Sequence, residues 1–86
     1  MGRFEFRSEQ LETAATPAET YLALGMASIS GRDGEPDRVE AHKWFNIAAI
    51  RGCREAAARR GEVAIEMSAE EIAQAQRAAR QWLTLH

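Results

Sequence analysis

The segment from Asp37 to Gly52 constrains the fold more than any other part of this 86-residue chain. It reads DRVEAHKWFNIAAIRG, and its apolar residues recur at intervals of three and four, the spacing that gathers side chains onto one face of a helix. That face consists of Ala41, Trp44, Phe45, Ala48 and Ala49. Because an amphipathic helix of this length is not stable alone, it needs partners on its apolar face. The sequence therefore predicts a helical core arranged around this segment.

Three predicted helices start with the same capping pattern. A residue that can accept a hydrogen bond is followed three positions later by glutamate, so that side chains and backbone N–H groups can pair reciprocally. The pairs are Thr16 with Glu19, Asp37 with Glu40, and Ser68 with Glu71. Gly31 and Gly52 suit the positions that end helices. With a further helix from about residue 54 to 66, the chain is predicted to be all-α with four main helices.

Two glycines reveal an internal repeat. Gly25 lies inside the first predicted helix, where glycine costs about 1 kcal/mol relative to alanine, so another helix is expected to press against the backbone there. Gly61 follows 36 positions later, and each glycine has a glutamate six positions before it. Residues of the second predicted helix match residues of the fourth at an offset of 31 positions. Two helix–turn–helix units at this spacing are typical of an α-solenoid.

The residues of the first unit resemble those of a Sel1-like repeat, a relative of the tetratricopeptide repeats, and the resemblance covers residues 18–67. The matching positions are Leu24-Gly25-Met26, Gly31, Asp37, Glu40-Ala41, Lys43-Trp44-Phe45, Ala48-Ala49, Gly52 and Glu55-Ala56. The chain is similar to a small bacterial member of the family, with one full repeat and a truncated one. The resemblance implies two stacked antiparallel helical hairpins and a role as an adaptor in protein assemblies.

The sequence divides into an extended N-terminal arm, residues 1–15, and a helical repeat domain, residues 16–86. The arm contains RFEFR, in which charged and aromatic residues alternate and Phe4 and Phe6 fall on one side. A single strand would have nothing to pair with in a helical protein. Two interpretations stay open: the phenylalanines dock on the helices of this chain, or they dock on another molecule.

The net charge, the cysteine count and the lack of long apolar stretches disfavour several classes of protein. The formal net charge of −2 disfavours a general binder of nucleic acids or membrane surfaces. Cys53 is the only cysteine, which excludes an internal disulfide and a multi-cysteine zinc site and predicts a reducing, cytoplasmic location. No stretch is apolar enough for a signal peptide or a membrane span, so neither is expected.

The sequence shows no grouping of catalytic residues. His42 is expected to be an exposed helix residue, because Arg38 and Asn46 occupy the neighbouring turns instead of the ligands that a metal or catalytic site needs. Cys53 is either a small residue at a helical corner or a thiol activated by a helix N-terminus and nearby arginines. We therefore predict no enzymatic activity, no metal and no cofactor.

Arg60 and the large aromatic residues each admit two interpretations. Arg60 stands where the Sel1-like family typically has a core leucine, and it must reach a carboxylate or solvent because a buried, unpaired guanidinium is costly. It either lies along the open edge of the repeat or belongs to a partner-binding surface. Trp44, Phe45 and Trp82 are expected in the core, and any exposed part of Trp82 would suit an interface.

The sequence predicts a non-catalytic protein–protein interaction adaptor, or an accessory subunit of a larger assembly, whose partner is another protein. Its binding surface is expected on the exposed faces of the first and third helices, with further contacts from arginine and aromatic residues. The candidate residues are Thr20, Ala23, Ala27, Arg54, Arg59, Arg60, Glu62, Trp82, Phe4 and Phe6. Self-association through an uncovered helical edge is compatible with this role.

The alternative is a nucleic-acid-associated regulator that uses the arginine-rich stretch 51–60. Residues 38–60 carry more positive than negative side chains, and such a protein would bind in a steeply salt-dependent way. These arginines are interleaved with alanine and glutamate rather than with aromatic residues that could stack on bases. The pattern therefore favours the adaptor.

Overall fold

A computed structural model describes residues 16–31 and 34–86, which form four α-helices. The helices are α1 (Pro17–Ser30), α2 (Arg38–Ile50), α3 (Arg54–Ala64) and α4 (Ala69–Leu85). The described ranges contain no strand, so the prediction of an all-α chain with four main helices is confirmed. The predicted N-terminal arm, with Phe4 and Phe6, lies outside the described residues.

Helices α1 and α4 begin with the predicted reciprocal caps. At α1 the backbone N–H of Glu19 donates to Thr16 Oγ1 at 3.1 Å, and the Thr16 N–H donates to the Glu19 carboxylate at 3.4 Å. At α4 the Glu71 N–H donates to Ser68 Oγ at 3.1 Å, and the Ser68 N–H donates to Glu71 at 2.9 Å. Each pair satisfies two backbone donors that the first turn of a helix leaves free.

Helix α2 begins with only half of the predicted cap. Asp37 Oδ1 accepts from the Glu40 N–H at 3.0 Å, but the Asp37 N–H donates to the backbone oxygen of Ser28, also at 3.0 Å. Because that donor is already satisfied by α1, Glu40 does not return to it. Its Oε2 accepts instead from Lys43 Nζ and from Trp44 Nε1, each at 3.0 Å. The predicted reciprocal box at Asp37 is therefore wrong.

Helix α2 is the centre of the fold, because α1, α3 and α4 all pack extensively against it. Its predicted apolar face forms the core: Ala41, Phe45 and Ala48 are buried together with Ala56 of α3. Around them pack the partly buried residues Tyr21, Leu22, Ile29, Ala49, Cys53 and Val63. The predicted apolar face of α2 is therefore confirmed, with Trp44 half-buried beside the core.

Contacts between the helices show their directions. Along α1 and α2, Gly25 faces Phe45 and Ser28 meets Asp37, so later residues of α1 meet earlier residues of α2. Along α2 and α3, Asn46 meets Arg60, while Arg38 at the start of α2 meets Glu66 just past the end of α3. Helices α1 and α3 therefore both run antiparallel to α2.

The second unit does not repeat the packing of the first. Helix α4 packs extensively against α2 and not against α3, and its buried residues are Ala75 and Ala79. A Cβ built on Gly25 would lie 2.4 Å from the Phe45 ring, whereas one built on Gly61 would meet nothing within 4 Å. At the repeat offset, Phe45 corresponds to Gln76, which is exposed. Helix α4 thus lacks the ring that would fill the space beside Gly61.

Candidate protein-binding surface

A groove of about 230 Å³ lies between α1 and α3, with α2 beneath it. Apolar side chains from all three helices form its lining, and charged side chains stand among them. The apolar residues are Met26, Ile29, Phe45 and Val63, and the charged residues are Arg38, Arg59, Glu62 and Glu66. An apolar surface with a few polar groups around it is the usual composition of a protein's binding sites.

The charged residues of the groove are already paired with one another. Arg38 Nε lies 3.0 Å from Glu66 Oε1, and Arg59 Nη1 lies 3.7 Å from Glu62 Oε1. Arg59 Nη2 also reaches Glu55 Oε2 at 3.3 Å. These ion pairs are partly exposed, and such pairs contribute only about 0–1 kcal/mol each. Exchanging them for pairs with a partner would therefore cost the folded chain little.

A second, shallower depression of about 460 Å³ continues along the exposed side of α1. It is lined by Glu19, Leu22, Ala23, Met26, Ala27 and Ser30. Met26 borders both the depression and the groove, which adjoin at this side chain. Met26 is 37% exposed, which leaves its flexible thioether accessible from outside.

The residues predicted on α1 and α3 fall on or beside this surface. Arg59 and Glu62 line the groove, while Ala23 and Ala27 line the depression. Thr20 and Arg54 line neither cavity. Thr20 is exposed near the start of α1, where its hydroxyl donates to the backbone oxygen of Thr16 at 3.1 Å. Arg54 is exposed at the start of α3. The structure thus brings together four of the seven residues predicted on these two helices.

Arg60 lies away from the groove, at the interface between α2 and α3. Its Nη1 donates to Asn46 Oδ1 at 2.6 Å, and both side chains are partly buried. Sequence reasoning expected a carboxylate or solvent, and the carboxamide oxygen of Asn46 takes that place. Arg60 therefore has an intramolecular partner, and its contribution to a binding surface stays a prediction.

Trp82 belongs to an aromatic cluster formed by α1, α2 and α4. Its ring centroid lies 5.0 Å from Tyr21 and 5.7 Å from Trp44, edge to face in both cases. Tyr21 and Trp44 stack at 5.9 Å, and Lys43 Nζ sits 4.2 Å above the Trp44 ring. Trp82 is half-buried and also stacks with His86 at 4.1 Å. The cluster ties α4 to the first two helices.

His42 is buried, with only 3% of its surface exposed, so the prediction of an exposed histidine is wrong. The cause is that α2 has three neighbours, which cover its polar flank as well as its apolar face. Its Nδ1 has no hydrogen-bond partner among the described residues. Burial, and after it the positive charge of Arg60, lowers the pKa of His42 below the ordinary 6.5.

The groove also contains residues that sequence reasoning missed. Met26 and Ile29 line the groove on its α1 side, but neither is among the residues predicted to bind a partner. The pair formed by Arg38 and Glu66 joins positions 28 residues apart, and neither residue stood out in its own segment. Arg38 begins α2 and Glu66 follows the end of α3, so opposite charges at the first and last positions of a helical hairpin were the signal that could have found them.

The described residues offer little that could carry chemistry. No three histidine, cysteine, aspartate or glutamate side chains within residues 16–31 and 34–86 come together as a metal site. Cys53 is the N-cap of α3, makes no side-chain cap hydrogen bond, and packs half-buried against the core. In the same ranges, no helix has both the length and the apolar character needed to cross a membrane.

Comparison of the chain with models of known protein families, with curated proteins and with solved structures finds no match in any of the three.

Proposed function

We propose that the chain is a cytoplasmic, non-catalytic adaptor or accessory subunit of a larger assembly, and that it binds another protein through the groove between α1 and α3. We further propose that α1, α2 and α3 form one hairpin and the first helix of the next in a Sel1-like α-solenoid, with α4 packed on α2 instead of on α3. The observation that carries the proposal is the groove itself, which joins an apolar floor, an exposed Met26 and rearrangeable ion pairs on one surface.

The size of the groove favours side chains of a protein partner over a small-molecule ligand. Sites for drug-sized ligands typically enclose about 300–1,000 Å³, more than the 230 Å³ between α1 and α3. One or two apolar side chains from a partner segment suit a space of this size. Methionine favours such contacts because its side chain adapts to different shapes.

The charges around the groove also favour a protein partner. Two arginines and two glutamates stand along it, so a complementary partner would carry both signs. A nucleic-acid surface needs an excess of positive charge to meet phosphates, whereas Arg59 lies between the carboxylates of Glu55 and Glu62 and Arg60 donates to Asn46. These contacts support the adaptor over the nucleic-acid-associated regulator.

The packing of the first three helices supports the proposed solenoid. Helices α1 and α3 both run antiparallel to α2, and Gly25 admits the Phe45 ring between α1 and α2. In a solenoid each unit buries its apolar face against its neighbour. Here α3 contributes Ala56 and Val63 to the core that α1 and α2 share.

Affinity capture with two matched variants tests the proposed surface. Met26→Glu puts a charge on the floor of the groove, and Ile65→Glu puts the same charge on a side chain that is 83% exposed and lies outside the groove. The tagged full chain is used for capture from its native cells, followed by mass spectrometry. We expect Ile65→Glu to retain the partner of the wild type and Met26→Glu to retain at least tenfold less.

Circular dichroism first establishes that both variants are folded. Equal retention of the same partner by both variants would contradict binding at the groove. Capture of no protein by the wild type, under conditions that preserve its fold, would contradict the adaptor function.

A further inference from the structure

The packing of α3 on α2 contains a buried polar cluster that the proposed function does not use. It consists of His42 and Asn46, one turn apart on α2, and Arg60 of α3. Asn46 Oδ1 accepts from Arg60 Nη1 at 2.6 Å, but His42 Nδ1 is left without a partner among the described residues. Because an unpaired buried polar atom is costly, it lowers the stability of this packing.

Helix α3 is held by few apolar contacts. Ala56 is its only fully buried residue, and Val63 packs partly buried against the core. Its extensive packing is with α2 alone, and the ion pair of Arg38 with Glu66 is exposed. Elements with little buried apolar surface are the first to open locally. A change at the polar cluster therefore acts on packing that few apolar contacts support.

We propose that His42 makes the packing of α3 on α2 sensitive to acid: protonation of the buried imidazole beside Arg60 favours a state in which α3 has opened. A second positive charge within this cluster would be both desolvated and repelled by the guanidinium. The opening itself does not depend on the proposed function. Its effect on a bound partner does, since α3 forms one wall of the groove.

The other charged groups on the helices around His42 are paired elsewhere or exposed. On α3, Glu55 and Glu62 both pair with Arg59, and Arg54 is exposed. On α2, Glu40 is engaged by Lys43 and Trp44, and Arg38 by Glu66. On α1 the one described carboxylate, Glu19, caps the helix start. On α4 the charged side chains are all exposed, and they are Glu70, Glu71, Arg77 and Arg80.

The direction of the pH dependence follows from linkage. The pKa of His42 is lowered in the folded chain and returns toward 6.5 when the ring is exposed. The open state therefore binds the proton more readily. Neutral His42 favours the state in which α3 is packed on α2. This contribution to the free energy of opening is fully present above pH 6.5 and is lost as the pH falls from there toward the folded-state pKa. At pH 5.5 an exposed histidine is mostly protonated.

Hydrogen exchange of the full chain at pH 7.5 and pH 5.5, corrected for the intrinsic exchange rate at each pH, tests the proposal. We expect the protection of α3 amides to fall at the lower pH, by at most about tenfold given an exposed-histidine pKa near 6.5. The protection of α1 should change little. His42→Gln and His42→Leu should remove the pH effect, while His86→Gln, which replaces the other histidine of the chain, should leave it as in the wild type.

A fall in protection shared equally by all four helices would overturn the local opening of α3. This comparison between helices needs only the wild type, so it holds even if neither His42 variant folds. No fall at all, or a fall that persists in a folded His42 variant, would overturn the role of His42. Because no partner is present, these results are independent of the affinity capture.

Discussion

At the scale of single residues, the contact between Gly25 and Phe45 is the packing feature that the sequence predicted most directly. A glycine inside an amphipathic helix predicted that another helix presses against it, and the Phe45 ring occupies that position. Phe45 itself is only 1% exposed. The same reasoning does not extend to Gly61, where a Cβ would meet nothing within 4 Å, because a repeated glycine does not show whether a ring arrives beside it.

Replacing Gly25 with alanine should destabilise the chain. The added Cβ would lie 2.4 Å and 2.5 Å from two ring carbons of Phe45, which the surrounding core prevents from moving away. Overpacking costs about 1–3 kcal/mol and outweighs the gain in helix propensity of about 1 kcal/mol. Urea unfolding of Gly25→Ala should therefore show a lower free energy of unfolding than the wild type.

Gly61→Ala is the matched control, since it makes the same change at the repeat-related position in α3. A Cβ there meets nothing within 4 Å, so only the helix propensity changes. The variant should gain up to about 1 kcal/mol in free energy of unfolding. A loss at Gly61, or a gain at Gly25, would contradict the packing described for these helices.

His42 shows where sequence reasoning fails at this scale. Its place on the polar flank of an amphipathic pattern predicted exposure, whereas it is 3% exposed. A pattern of apolar residues identifies the most apolar face of a helix. It does not count how many neighbours the helix has, and burial of a polar flank depends on that number.

At the scale of elements, helix starts were predictable because they depend on residues three positions apart. The reciprocal caps at Thr16 and Ser68 are confirmed. The cap at Asp37 departs from the pattern because Ser28, on another helix, accepts the N–H that Glu40 was expected to satisfy. A local rule holds until a contact distant in sequence competes for the same donor.

The cap of α4 can be measured by substitution. Ser68→Ala removes the acceptor for the Glu71 N–H and should lower the free energy of unfolding by about 1 kcal/mol. Thr84→Ala, an exposed hydroxyl near the other end of the same helix, serves as the control and should change it by less than about 0.5 kcal/mol. Thermal unfolding followed by circular dichroism checks both values, and equal losses would argue against the cap.

At the scale of the whole molecule, the arrangement around α2 was only partly predictable. The bulky apolar face of residues 37–52 indicated a central helix, and three helices do pack on it. The repeat suggested that α4 would pair with α3, but α4 packs on α2, where Trp82 meets Tyr21 and Trp44. Such choices depend on the fit of side chains across helices, which repeat spacing does not encode.

The groove was beyond sequence reasoning for the same reason. Its walls combine residues as far apart as Met26 and Glu66, and no segment of the chain holds more than a fraction of them. The predicted candidates Arg59 and Glu62 were found because the exposed face of α3 could be deduced from its helical period. The apolar floor required the three-dimensional arrangement.

Site-specific photo-cross-linking in the native cells tests the central claim, that a protein partner binds this groove, most directly. A photoreactive amino acid replaces Met26 in one version of the full chain and Ile65 in another. We expect irradiation to join one and the same partner protein to position 26, with little or no adduct at position 65. Equal adducts from both positions, or a partner joined only at position 65, would contradict the account.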